Sequence, residues 1–175
     1  LHCWKRGGHG SQTFLEVVQN SCNPGFVELG NRLGKEMLFS YINKFGFGKR
    51  TGIDLAGEGT GILFNLERVG PVEQATTAFG QGVSVTPIQQ VAAVSAAVNG
   101  GILYTPYVAK KLVDPLTEKV TMEKTPQEKR RVISEDTSKK VREALETVVA
   151  LGSGKGAYIE QYRVGGKTGT AQKVK

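Results

Sequence analysis

The sequence predicts an α+β domain. Stretches with helical apolar spacing and identifiable caps recur between residues 12 and 150. Strand-like runs stand among them, including two that face each other across a turn. The composition is 39% hydrophobic with 23 glycines in 175 residues, that of a folded chain rather than a disordered tail. This length suits one domain or a large part of one.

Residues 1–10 read as loop, with Gly7, Gly8 and Gly10 around His9. A helix is expected over 12–19, with Ser11 as N-cap and Phe14, Leu15 and Val18 inward. Asn20 to Asn23 form a turn, and Pro24 suits the first position of the next helix, whose stripe is Phe26, Leu29 and Leu33. A third helix over 35–45 carries Leu38, Tyr41, Ile42 and Phe45 and stops at Gly46. Ser21 and Asn23 are thus expected on a loop pinched between helices. Residues 46–61 are glycine-rich and irregular. Thr86-Pro87-Ile88-Gln89 is a strong helix start, since Thr86 caps, proline takes the first turn and Gln89 completes a capping box. That helix runs to about Asn99, and its alanines and valines predict burial on most sides. Residues 102–105 read as a strand, and 107–113 with 119–122 as a hairpin around Asp114-Pro115. The last helix, 135–150, has Ser134 as N-cap and a stripe of Val141, Leu145 and Val148. A Gly152-Ser153-Gly154-Lys155-Gly156 loop then leads towards Lys167.

The net charge of +7 is spread along the chain, densest at Lys129-Arg130-Arg131. With no arginine-rich arm and no aromatic-interleaved basic stripe, the sequence argues against nucleic-acid binding. No apolar run is long enough to span a bilayer. The opening residues do not resemble a natural start, so the chain is expected to be a piece of something longer. Neither metal nor cofactor is expected, because no carboxylate or cysteine cluster around His2 or His9 has ligand spacing.

The chemically loaded stretch is Gly165-Gly166-Lys167-Thr168-Gly169-Thr170. Glycines permit close approach, lysine offers a point charge, and on a strand both hydroxyls would share a face. Gly166-Lys167-Thr168 could end a phosphate-binding loop. That motif needs a glycine five residues before Gly166, where Gln161 stands. Gly57, Gly59 and Gly61 likewise miss the dinucleotide fingerprint, since position 62 is Ile. The surviving reading is the Lys-Thr-Gly element of penicillin-recognising serine enzymes, which requires a Ser-x-Asn upstream; Ser21-Cys22-Asn23 supplies one.

These motifs occur in order with Gly8-His9-Gly10, Phe45-Gly46-Phe47-Gly48, Thr51-Gly52-Ile53-Asp54-Leu55 and Phe79-Gly80-Gln81-Gly82. The chain resembles the transpeptidase domain of class B penicillin-binding proteins over nearly its whole length. Around Ser21 and Gln81 it is most like the sporulation branch that builds spore cortex peptidoglycan. The resemblance implies a penicillin-binding/β-lactamase-like fold: a five-stranded antiparallel sheet with helices on both faces, here truncated at both ends. Residues 1–175 would be the central part of that domain. Its chemistry would be D,D-transpeptidation of peptidoglycan stem peptides ending in D-Ala-D-Ala, through a serine ester, with β-lactams as inhibitors.

By the same resemblance Ser21 would relay a proton, Asn23 would hold the substrate amide, and Lys167 would set the cleft potential. Thr168 and Thr170 would bind the substrate carboxylate, with the Thr170 N–H as an oxyanion donor; Gly169 and Gln81 complete the expected substrate-binding set, Gln81 either supporting the cleft or merely capping it. The family's nucleophile lies in a Ser-x-x-Lys, and no serine of this chain has lysine at +3. It is expected before Leu1, and the chain alone is expected to be inactive. The alternative is a non-catalytic binding module of the same fold, which an intact upstream Ser-x-x-Lys would exclude. The implied location is the extracytoplasmic face of the cell membrane, or the forespore outer membrane if sporulation-specific. An N-terminal anchor outside this chain would provide attachment, and cell-wall polymerases would be partners.

Cys3 and Cys22 are the only cysteines. They are either two unrelated small apolar residues or, in that compartment, a redox pair. The second reading implies oxidative inactivation reversed by a thioredoxin-like thiol reductase.

Overall fold

Three helices open the computed structural model, which describes residues 2–170: α1 (Phe14–Gln19), α2 (Asn23–Leu33) and α3 (Lys35–Lys44). Helix α1 starts at Thr13, not at Ser11. Thr13 Oγ1 accepts the Glu16 N–H, and Glu16 Oε2 accepts the Thr13 N–H at 2.7 Å. Ser11 has Phe14 at the third position and so lacks the returning carboxylate that fixes a capping box. The buried residue is Val17 rather than Phe14 or Leu15, which are exposed. Val17 packs into a notch at Gly25 of α2, where any Cβ would collide with it.

Residues 66–78 contain structure that the sequence reading passed over: a 3₁₀ turn (Leu66–Arg68) and helix α4 (Pro71–Ala78). Pro71 opens α4, and Glu73 accepts the Gly70 N–H at 2.9 Å. Helix α4 lies close on α2 because Gly30 leaves room for Ala78, and Gln74 Nε2 donates to Gly30 O at 3.0 Å.

Helix α5 (Pro87–Val98) forms the predicted capping box between Thr86 and Gln89. Gln89 does more than cap. It is 1% exposed, and its Nε2 donates to Lys49 O and Thr60 O, both at 2.8 Å. One buried amide thus ties both ends of the irregular 49–60 stretch to the start of α5. Burial of α5 is one-sided, contrary to expectation: Ala93 and Ala96 face inward, whereas Val91 and Val94 are exposed.

Strand β1 (Ile102–Thr105) pairs antiparallel with β4 (Gln127–Arg131), and β2 (Lys111–Val113) with β3 (Val120–Glu123). Among the described residues these are two separate two-stranded sheets, with no continuous five-stranded one. The β2–β3 pair is the expected hairpin. Asp54 holds it, accepting from the Val108 and Ala109 N–H groups and from Lys124 Nζ at 2.7 Å. The Lys124 bond, then the backbone donors, push the Asp54 carboxyl down to about 2. A small core of Ala96, Leu103 and Val132 joins α5 to the β1–β4 sheet, with Phe45, Ala92 and Ile133 around it.

Helix α6 (Glu135–Ala150) begins at Ser134 as predicted. Its fully buried Ser138 donates to Ala97 O and accepts from the Gly100 N–H, satisfying the C-terminal end of α5. Val148 and Val149 are its other buried residues. No helix among the described residues is long and apolar enough to cross a membrane.

Candidate active site

The site begins with how α1 ends. The Ser21 N–H donates to Val18 O at 3.2 Å, and the Cys22 N–H to Val17 O at 3.1 Å. These two bonds make a Schellman motif with Ser21 at the position usually given to glycine. Ser21 sits in the left-handed region at φ 51°, which costs a residue bearing Cβ on the order of 1 kcal/mol. Directly afterwards Cys22 caps α2, with Asn23 and Pro24 in its first turn. Ser21 and Asn23 are therefore presented from a junction fixed by two helices rather than from a loose loop.

Lys167 meets this junction from the other end of the chain. Its Nζ donates to Ser21 Oγ at 2.6 Å and to Thr168 O at 2.9 Å, and stands 5.9 Å from the centre of the Phe26 ring. Thr168 Oγ1 is 2.9 Å from Ser153 Oγ. Partial desolvation lowers the Lys167 pKa from that of a free lysine. Because Ser21 Oγ accepts from Lys167, its own O–H proton remains available to a further acceptor. A cation, a hydroxyl able to pass a proton, and a second hydroxyl converge on one spot.

Residues 163–170 form no ladder with another strand among the described residues, so the strand expected around Lys167 is not observed. A strand is defined by its partner, and here the backbone lies against α6 instead. The Gly166 N–H donates to Leu145 O at 3.1 Å, and Gly165 and Gly166 approach Leu145 and Val149. The glycines in this stretch serve contact with a helix.

Ser153 was missed as part of the site, because nothing in a glycine-rich loop signals its contacts. Its N–H donates to Gln19 O at 3.0 Å while its hydroxyl meets Thr168, bridging α1 to the Lys167 segment. Gly152 makes this possible, since a Cβ there would overlap the Gln19 carbonyl. Phe26, read as part of an apolar stripe, also lies under the lysine. Gln81 is not hydrogen-bonded into this cluster: its N–H donates to Thr76 O in α4, and no hydrogen bond joins its side chain to Ser21, Lys167 or Thr168. Asn23 is half-buried, and Gly169 and Thr170 are exposed.

Sequence spacing shows no ligand cluster around His9, yet the fold gathers three side chains of ligating type. Cys3 Sγ lies 3.2 Å from His9 Nδ1, and the ligand atoms of Cys3, His9 and Cys22 all lie within 4.8 Å of one another. Sequence spacing hid the cluster because the α1–α2 turn folds Cys22 back onto residues 3–9. Trp4 Nε1 secures that loop by donating to Asn20 O at 3.0 Å. Both cysteines are free thiols.

The family model for the penicillin binding protein transpeptidase domain matches residues 1–175. The chain belongs to this family. Relatives include stage V sporulation protein D of Bacillus subtilis, 77% identical over the whole chain and 27% of that protein. PbpB of Mycolicibacterium smegmatis is 34% identical over 93% of the chain and 26% of its own length. The chain thus spans about a quarter of the curated relatives it matches. Among solved structures, penicillin binding protein 3 from Mycobacterium tuberculosis, complexed with ampicillin, superposes with TM-score 0.91. That alignment has 33% identity and covers all of this chain and 40% of the other. The transpeptidase fold expected from the motifs is therefore the fold observed, with mixed helices and antiparallel strands.

Proposed function

We propose that this chain supplies the substrate clamp and proton relay of a serine D,D-transpeptidase acting on peptidoglycan stem peptides. The observation that carries the proposal is the 2.6 Å bond from Lys167 to Ser21, which joins the Lys-Thr-Gly and Ser-x-Asn elements. In the reaction, a serine outside residues 1–175 attacks the carbonyl of the penultimate D-Ala. The C–N bond breaks, and terminal D-Ala leaves as an amine after receiving a proton. A second stem peptide's amine then attacks the ester, loses a proton and frees the serine. Ser21 passes these protons, with Lys167 holding its oxygen so that its hydrogen points away. Lys167, Thr168 and Thr170 bind the terminal carboxylate, the Thr170 N–H stabilises the oxyanion, and Asn23 accepts and donates to the substrate amide. Gln81 supports the cleft wall from the end of α4. A β-lactam occupies the same clamp and remains as the acyl ester.

The resemblance to a stage V sporulation protein supports a role in spore cortex synthesis. The complete protein would work outside the cytoplasmic membrane, at the forespore outer membrane, held by an anchor N-terminal to this chain and acting beside a cell-wall polymerase. A fluorescent penicillin tests the central claim. The complete protein should retain the label after denaturation, and residues 1–175 alone should not. An unlabelled complete protein, or a labelled 175-residue chain, would overturn the assignment.

The neighbouring thiols support redox control of this site. Oxidation joins the Cys3 and Cys22 sulfurs with loss of two protons and two electrons to a disulfide oxidant. A thioredoxin-like dithiol reverses it by exchange. The bridge would pull on the turn that aims Ser21 and Asn23. Acylation by penicillin should slow on oxidation and recover with reductant; equal rates at different thiol counts would remove the regulatory role.

A further inference from the structure

We infer that Cys3, His9 and Cys22 form a binding site for zinc. This goes beyond the acyl-transfer reading and does not depend on it. The three side chains offer two sulfurs and one imidazole nitrogen within 4.8 Å of one another. Tetrahedral zinc ligands, with Zn–S near about 2.3 Å and Zn–N near about 2.0 Å, lie about 3.5–3.8 Å apart. The cluster needs to contract by about 1 Å, and the Cys3–His9 edge, at 3.2 Å, is already short enough.

Donor chemistry selects the ion. Thiolate and imidazole favour zinc over calcium or magnesium, which require oxygen ligands, and the cluster contains no carboxylate. Zinc would displace one proton from each thiol, and the two resulting thiolates would cancel its charge. Cys22 is 5% exposed while Cys3 and His9 are half-buried, so the ion would sit at the edge of the fold with a fourth position for water.

Placement gives the site a consequence. Two ligands come from the loop before α1, and the third lies between Ser21 and Asn23. The loop is already docked there: the Trp4 ring meets the His9 ring edge-on at 5.5 Å, and its N–H binds Asn20 O. Zinc would fasten it to the turn that presents Ser21. Metal and disulfide are mutually exclusive occupants of the same two sulfurs, so bound zinc would shield the pair from oxidation.

The test uses the complete protein, reduced with a non-chelating phosphine. Zinc retained after dialysis is measured, together with the thiolate-to-metal absorption of the cobalt(II)-substituted protein. The expected result is one zinc per chain and a cobalt–thiolate band. Cys3→Ser and His9→Ala should each weaken zinc binding at least 10-fold, with the thermal melt of the metal-free protein unchanged. Cys22→Ser is a secondary variant, since burial makes its folding sensitive. Failure of the reduced wild-type protein to hold zinc, or unchanged zinc affinity in C3S and H9A, overturns the site. Neither outcome bears on penicillin acylation, which is read separately.

Discussion

The Lys167 ammonium donates to the Ser21 hydroxyl at 2.6 Å across 146 positions of sequence. The two groups are held differently: Ser21 by a Schellman turn between two helices, Lys167 by a backbone bond to α6 through Gly166 and by the Ser153–Thr168 contact. The following predictions apply to the complete protein.

Ser21 combines the proposed relay hydroxyl with a left-handed backbone, and two substitutions separate them. S21A keeps the strain and removes the hydroxyl; penicillin acylation should fall about 10²–10⁴-fold, the range for a lost proton-transfer group. S21G removes the hydroxyl and relieves the left-handed conformation. It should lose as much activity while melting at or above the wild-type temperature. Retained acylation in both variants would exclude the relay.

Lys167 is partly desolvated, which lowers its pKa from 10.5. Its ammonium should therefore be lost at lower pH than that of a free lysine, and acylation should decline on an alkaline limb centred below pH 10.5. The stability effect has the opposite sign. The folded state binds fewer protons than the unfolded state through that window, so the lysine's contribution to stability rises as pH climbs. K167A should abolish the limb together with most of the activity.

At Gly152 an added methyl would strike a backbone carbonyl, so the α1–α6 contact must shift. G152A should cost about 1–3 kcal/mol and lower the melting temperature by about 2–4 °C per kcal/mol. Because Ser153 also positions Thr168, acylation should fall further than the folded fraction does.

Gln89 bonds to Lys49, Thr60 and Thr86 and to no residue of the proposed clamp, so its loss should be structural. Q89A strands the carbonyls of Lys49 and Thr60 and removes the acceptor of the Thr86 N–H, costing about 2–4 kcal/mol in denaturant unfolding. Acylation per folded molecule should be unchanged.

Local chemistry made much of the molecule readable in one dimension. The Thr86-Pro87-x-Gln89 start of α5, the Ser134 start of α6 and the Asp114 hairpin were legible because each is built from neighbours within a few residues. So was the family, through ordered short motifs. The start of α1 was misplaced because two hydroxyls compete for the cap and only Thr13 has a carboxylate in the returning position. The exposed Val91–Val94 face of α5 was misread because hydropathy reports composition, whereas burial depends on what packs against the helix.

By itself the sequence supplied the residues proposed for the clamp, Ser21, Asn23, Lys167, Thr168 and Thr170, and the family whose fold brings Ser21 and Lys167 together. Tertiary structure decided the distances. It gave Ser21 its left-handed turn, brought Phe26 to the lysine and Ser153 to Thr168, and gathered Cys3, His9 and Cys22. These are long-range contacts, set by how helices and turns pack, and no spacing along the chain encodes them.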